Sequence, residues 1–322
     1  MEGTRASFRE KNMKLLNYSA IITAASLTMA APAHANCSEV AFADVGWTAE
    51  TATTAMSGMI LEALGYDVDI KVVSVPVTYA SMSNGDIDAF LGNWMPSMAA
   101  DIEPFVADGS VEVLRPVVEG AKYTLATNAA GAALGISDFA DIAKHSEALD
   151  NNIIGIEPGN DGNRLILDMI STNAFGLGGF ELKESSEQGM LAQVARSDSK
   201  DKPVIFLGWA PHPMNNNFDM TYLTGGDDYF GPDFGAAVVY SNVRAGYIQE
   251  CPNVGKFLSN LSFSVDMENV LMAAILDDGA KPEVAARDWL TANADILDTW
   301  LDGVNTIDGG DAISAVKAML GK

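Results

Sequence analysis

Basic residues are scarce in this chain. Its 322 residues include 19 Lys and Arg against 43 Asp and Glu, a formal charge of −24. Such a surface repels phosphate backbones and excludes nucleic acid as a partner. It also disfavours anionic lipid. Histidine is scarcer still, with His34, His145 and His212 alone. No two stand at the spacing of a zinc site, and no Gly-x-Ser-x-Gly turn offers His212 a nucleophile. The phosphate-loop pattern Gly-x4-Gly-Lys-Ser/Thr is absent. Long apolar runs are missing too, since the most apolar stretch, LLNYSAIITAASLTMAAPAHA (15–35), is interrupted by polar residues and is too weak to span a membrane. No low-complexity segment or short-period repeat appears.

That stretch follows a basic flank of Arg5, Arg9, Lys11 and Lys14 and ends in Ala33-His34-Ala35. Small residues flanking a variable one form the pattern read at export cleavage, so residues 1–35 read as a signal peptide cut near Ala35. Met13-Lys14 offers an alternative start to the same signal. An exported chain from residue 36 keeps 15 basic and 41 acidic residues, a charge of −26 that favours a soluble monomer. Its two cysteines, Cys37 and Cys251, would meet an oxidising compartment, where a lone pair is expected to bond. Two free buried thiols are the alternative.

The rest of the chain alternates strand and helix patterns. VAFADVG (40–46) reads as a buried strand, and TAETATTAMSGMILEALG as a helix capped by Thr48 and stopped by Gly65. DIKVVSV, VTYASMSNG and IDAFLG continue as strand, helix and strand. The alternation returns in NIIGIEPG, NRLILDMISTNAFG, FELKES, SEQGMLAQVARSDS and PVIFLG. Two similar α/β units with parallel sheets follow from this pattern, joined by strand-like hinges near 117–126 and 236–244. The last eighty or so residues are mostly helical.

Two stretches echo each other across the units: FLGNWMPSM (90–98) and FLGWAPHPM (206–214). Each places a Trp at the carboxyl end of a strand, where open parallel sheets bind ligands. Gly92 and Gly208 are expected to turn the chain there, aiming Trp94 and Trp209 between the units. Trp47 follows the first strand in the same way. Trp289 and Trp300 sit at helical spacing and read as core. Three facing indoles suit a methylated ammonium, which offers no N–H to a hydrogen-bond acceptor but is attracted to ring faces. A polar anchor is expected in GIEPGNDGNR, where Asn160 would add a donor at a helix start. Asp161 reads there as a capping residue and Glu157 as an acidic neighbour.

One further segment, NNNFDMTYLTGGDDYFGPDF (215–234), is rich in oxygen ligands. Asp219, Asp227, Asp228 and Asp233 would suit a hard cation such as calcium. The spacing is not that of an EF-hand, and a solvated acidic hairpin is the alternative. No other cofactor is expected.

DVGWT, FLGNWMPSM, GAKYTLATN, GIEPGNDGNRLILDM, SSEQGMLAQVAR, FLGWAPHPMN and CPNVGKFLSNLSFS together resemble the periplasmic substrate-binding proteins of ABC importers for choline, glycine betaine and their relatives. The likeness is nearest to the choline-binding branch and covers nearly the whole chain after residue 35. It implies an α/β, two-lobed type II binding fold with a central cleft, one lobe formed by 36–118 and 240–322 and the other by 119–239. It implies an aromatic box of Trp47, Trp94, Tyr123 and Trp209, with Asn160 as the polar position, a Cys37–Cys251 pair, and an ABC permease with its ATPase as partners. In choline binders the first Trp is followed by Thr-Asp, with the Asp beside the cation; here Thr48-Ala49 follows Trp47. A buried cation without its carboxylate is costly, so the departure favours a zwitterion, trimethylamine N-oxide first and glycine betaine less so. Glu50 or Glu157 could replace the missing carboxylate, which keeps choline open. The competing class is an amine-metabolising enzyme built on the same cage, but no acid–base–nucleophile set accompanies it.

Overall fold

The computed structural model describes residues 37–322; the expected signal peptide and its cleavage point lie outside them. Nine strands run in chain order: β1 (Glu39–Asp44), β2 (Asp67–Val72), β3 (Ala89–Met95), β4 (Val111–Asn128), β5 (Asn152–Ile154), β6 (Glu181–Lys183), β7 (Ile205–Ala210), β8 (Met220–Tyr222) and β9 (Ala236–Arg244). They form one sheet of order β2-β1-β3-β9-β4-β7-β5-β6, with β8 paired to β4. In the first half β1 lies parallel to β2 and β3. In the second, β5 lies parallel to β6 and β7. The inner strands β9 and β4 run antiparallel to β3 and β7 respectively, and to each other. The sequence echo is therefore a topological one, because β3 and β7 hold equivalent places in the two halves. The joins expected near 117–126 and 236–244 fall in β4 and β9, the two strands on which the halves meet.

Local chemistry explains the elements that matter for the site. α1 (Thr48–Ala63) buries twelve of its sixteen residues, many of them Ala, Thr, Ser or Gly, whose small side chains permit close packing. It packs against the helices Val265–Leu276 and Pro282–Ala292, so the chain's last segment returns to the first half. Gly65 ends it at φ +95°, as the sequence implied. The N-cap is Trp47 rather than Thr48, and it makes no side-chain cap bond. Gly92 and Gly208 do not turn the chain. Both lie inside extended strands at negative φ, and added Cβ atoms there would press on Phe90 and Glu50, or on Ala126 and Met220. These glycines make room for neighbours.

Cys37 and Cys251 are bonded to each other, fastening the start of β1 to the helix Pro252–Asn260. A loop of 214 residues is worth about 5 kcal/mol at the ceiling of the chain-entropy account. Trp300 is fully buried edge-on to Phe263, and Trp289 packs against the same core, as their helical spacing implied. Among the described residues no helix is long and apolar enough to cross a membrane.

Candidate functional site

Trp47, Trp94, Tyr123 and Trp209 line one cavity, together with Ala49, Glu50, Ile156, Asn160 and Asp161. Four separate elements deliver the rings: the start of α1, then β3, β4 and β7. Register sets two of them side by side, because Tyr123 pairs directly with Trp209 across the antiparallel β4–β7 ladder, and opposed residues share a face. Their rings meet edge to face at 6.1 Å, and Trp94 stands 6.1 Å from Tyr123 at 62°. In both echoed stretches the bond to the following proline, Met95–Pro96 and Ala210–Pro211, is cis. The cavity is small, about 30 Å³. All four rings are nearly closed off from solvent.

The polar wall comes from the start of the helix Asp161–Ser171. Asn160 is its N-cap, accepting from the Asn163 N–H at 3.1 Å, so Asp161 is the first helical residue and not the cap. The same Asn160 oxygen accepts the Tyr123 hydroxyl at 2.9 Å, and its amide donates to Asp161 at 3.0 Å. Gly162 is required beside them, since a Cβ there would collide with the Tyr123 hydroxyl. Asn160 therefore holds both the helix and one ring of the box.

Carboxylates dominate what remains. Asp161 is 1% exposed, and its Oδ2 makes no hydrogen bond. Burial pushes it up to about 6, opposed in part by the nearby Ser97 hydroxyl, which donates to the Trp94 carbonyl. Glu50 is 4% exposed; its Oε2 accepts the Val45 N–H at 3.0 Å, and its Oε1 is unpartnered. Burial, then the charge of Asp44, raises it well above the ordinary range. Glu157 does not line the cavity. Its Oε1 accepts the Trp47 indole N–H at 2.7 Å, and burial carries it up to about 7. No Lys, Arg or His lines the space.

Ala49 brings no carboxylate to the cavity, but Glu50 and Asp161 line it as well. Glu50 was open to this role from its adjacency to Ala49. Asp161 read as a cap, and the missed signal was its neighbour: Asn160 can cap as well, which frees Asp161 to face inward. The four aspartates of 215–234 do not assemble. Among the described residues no three His, Cys, Asp or Glu side chains gather as a metal site. Asp219 precedes β8, Asp227 and Asp228 start one short helical turn, and Asp233 lies in another at φ +55°. The segment is spent on its own backbone turns.

Links between the two halves surround the cavity. Arg164 donates to the Ser97 carbonyl and to Asp101, each at 2.9 Å. Glu187 accepts the Thr48 N–H at 2.8 Å. Trp47 reaches Glu157 as described.

Comparison with known proteins adds the context. The family described as the substrate binding domain of ABC-type glycine betaine transport systems (OpuAC) matches residues 38–292. A solved ABC-transporter choline-binding protein in complex with choline is 63% identical, with 88% of this chain and 98% of that one covered and a TM-score of 0.88. An unliganded, semi-closed choline-binding structure is 62% identical over 89% of this chain and 100% of that one, with a TM-score of 0.83. The glycine betaine/carnitine transport binding protein GbuC of Listeria monocytogenes is 29% identical over 133 residues, 41% of this chain and 43% of that protein.

Proposed function

The chain belongs to the family of substrate-binding domains of ABC-type glycine betaine transporters, which are binding proteins and not enzymes, and from that premise we propose that it captures a trimethylammonium cation of the choline class. The observation that carries this reading is the pair of buried carboxylate oxygens, on Asp161 and Glu50, left without partners at a ring-walled cavity that no basic residue lines. Ring faces select the methylated head by its dispersed charge. A permanent cation would give both carboxylates the counter-charge that burial denies them.

Trimethylamine N-oxide suits a cage that lacks a carboxylate, and two carboxylates line this one. An oxide or carboxylate oxygen would meet the negative charge of Asp161 and Glu50. The wall's own amide and hydroxyl, on Asn160 and Tyr123, are already engaged. Glycine betaine is disfavoured on the same ground.

In this reading the protein works after export to the periplasm, as a monomer. Residues 36–118 with 240–322 move against 119–239 about β4 and β9. Closure brings the four rings round the methyl groups, expels water, and presents the closed form to an ABC permease and its ATPase. Isothermal titration with choline, trimethylamine N-oxide and glycine betaine tests it. Choline should bind at least tenfold more tightly than either zwitterion, with protons released in buffers of differing ionisation heat. A tenfold preference for a zwitterion would mean that the carboxyls serve as neutral donors, and would reject the cation assignment.

A further inference from the structure

α1 begins without a cap of its own: Trp47 stands at its N-cap position and makes no side-chain bond to the first turn. A sixteen-residue helix started this way presents free N–H groups and a partial positive charge. A carboxylate from the other half meets them. Glu187, 1% exposed at the start of the helix Glu187–Asp198, places Oε2 2.8 Å from the Thr48 nitrogen and accepts its N–H.

The other oxygen of Glu187 faces His212. His212 Nε2 lies 2.9 Å from Oε1, and its Nδ1 accepts the Met214 N–H at 2.9 Å. A backbone N–H can point only at a ring lone pair, so the ring proton sits on Nε2 and is donated to Glu187. The His212 ring, 2% exposed, then stands edge-on to Trp209 with centroids 4.9 Å apart. One continuous path therefore joins Trp47, the Thr48 N–H, Glu187, His212 and Trp209. Its ends are two walls of the cavity, and its middle is outside the lining.

We propose that Glu187 is a positioning residue that caps α1 across the cleft only when the halves close, and that through His212 it sets Trp209 relative to Trp47. The inference rests on the reading of the cavity as a solute cage closed by hinge motion. In an open protein the Thr48 N–H and the free Glu187 oxygen both return to water. Closure exchanges those waters for one charge-assisted bond beside a helix terminus. The latch slows release of the solute without touching it.

Thr48→Pro tests this, since it deletes the one N–H that Glu187 grips. Proline is tolerated at the first helical position, and Trp47 at φ −83°, ψ 133° already has the conformation favoured before proline. Glu187→Gln keeps an acceptor without the charge, and Glu187→Ala removes both. Stopped-flow kinetics with choline should show dissociation about tenfold faster in Thr48→Pro and Glu187→Ala, intermediate in Glu187→Gln, with association changed less than twofold. The melting temperature of unliganded Thr48→Pro should stay near that of the parent, which separates a latch from general destabilisation. Small-angle scattering supplies a ligand-independent arm, in which the variant's closed fraction should fall. A parent that binds no trimethylammonium solute, together with that fall, would lose the ligand assignment and keep the latch. Unchanged dissociation or an unchanged closed fraction in Thr48→Pro would overturn the latch.

Discussion

Asp161 is asked to do two opposing things. It opens a helix, where negative charge is favoured, and it is buried with one oxygen unpaired, where charge is costly. Burial prevails and raises it to about 6. A bound cation should reverse the balance. Asp161→Asn and Glu50→Gln are therefore each expected to weaken choline by about tenfold or more, because opposite unit charges about 5 Å apart attract by about 3 kcal/mol at an effective dielectric of about 20. The same substitutions should affect glycine betaine less, and titration calorimetry on both solutes checks the contrast. Trp209→Ala removes a ring that lines the cavity and the support it shares with Tyr123 and His212. A desolvated cation–π contact of about 2 kcal/mol corresponds to a loss of about thirtyfold in affinity.

At the level of elements, the helix Asp161–Ser171 and α1 present opposite solutions to the same problem. The first carries its own cap in Asn160, whose oxygen also accepts from Tyr123. Asn160→Ala should lower stability by about 1 kcal/mol, the usual cost of a lost cap, and should weaken solute binding by releasing the Tyr123 hydroxyl. Thermal melts with and without choline separate the two effects. α1 has no internal cap, so its Thr48 looked like one in the sequence although the partner lies 139 residues away. The Arg164 link from the Asp161–Ser171 helix to Asp101 and the Ser97 carbonyl is partly exposed. Arg164→Ala should speed choline dissociation severalfold at low salt and less at high salt, as screening predicts.

For the whole molecule, acid groups buried without bases create a pH dependence of definite sign. Desolvation raises Glu268 to about 8, Glu157 to about 7 and Asp161 to about 6. Each folded pKa lies above the unfolded one. Any stability these groups contribute is present below about pH 4 and is lost as pH rises through the raised values. The unliganded protein should melt several degrees lower at about pH 9 than at about pH 5.5. Choline should restore the part due to Asp161, while the Glu157 and Glu268 parts should persist, since neither residue lines the cavity. Choline affinity should run the other way and fall by about tenfold between about pH 8 and about pH 5.5, as protons compete with the cation. A dissociation constant flat across that range would mean that no titrating carboxyl faces the solute.

Periodicity, helix stops and strand-end tryptophans depend on neighbours close in sequence, which is why the alternating α/β order, the Gly65 stop and the three tryptophan positions of the box were legible from residues alone, whereas Tyr123 followed only from the family resemblance. The cysteine pair followed from its number and from the expected export. Side-chain partnership across the cleft was not legible. Whether Asn160 or Asp161 caps a helix, whether Gly92 turns or merely yields space to Phe90 and Glu50, and whether Ala49 deprives the cage of charge all depend on atoms brought together from distant segments. Local propensity can place an acid near a cavity, but burial and competition for hydrogen bonds decide which oxygen is left facing it. On the proposed reading, that oxygen's environment, rather than the identity of residue 49, sets the charge a guest must bring.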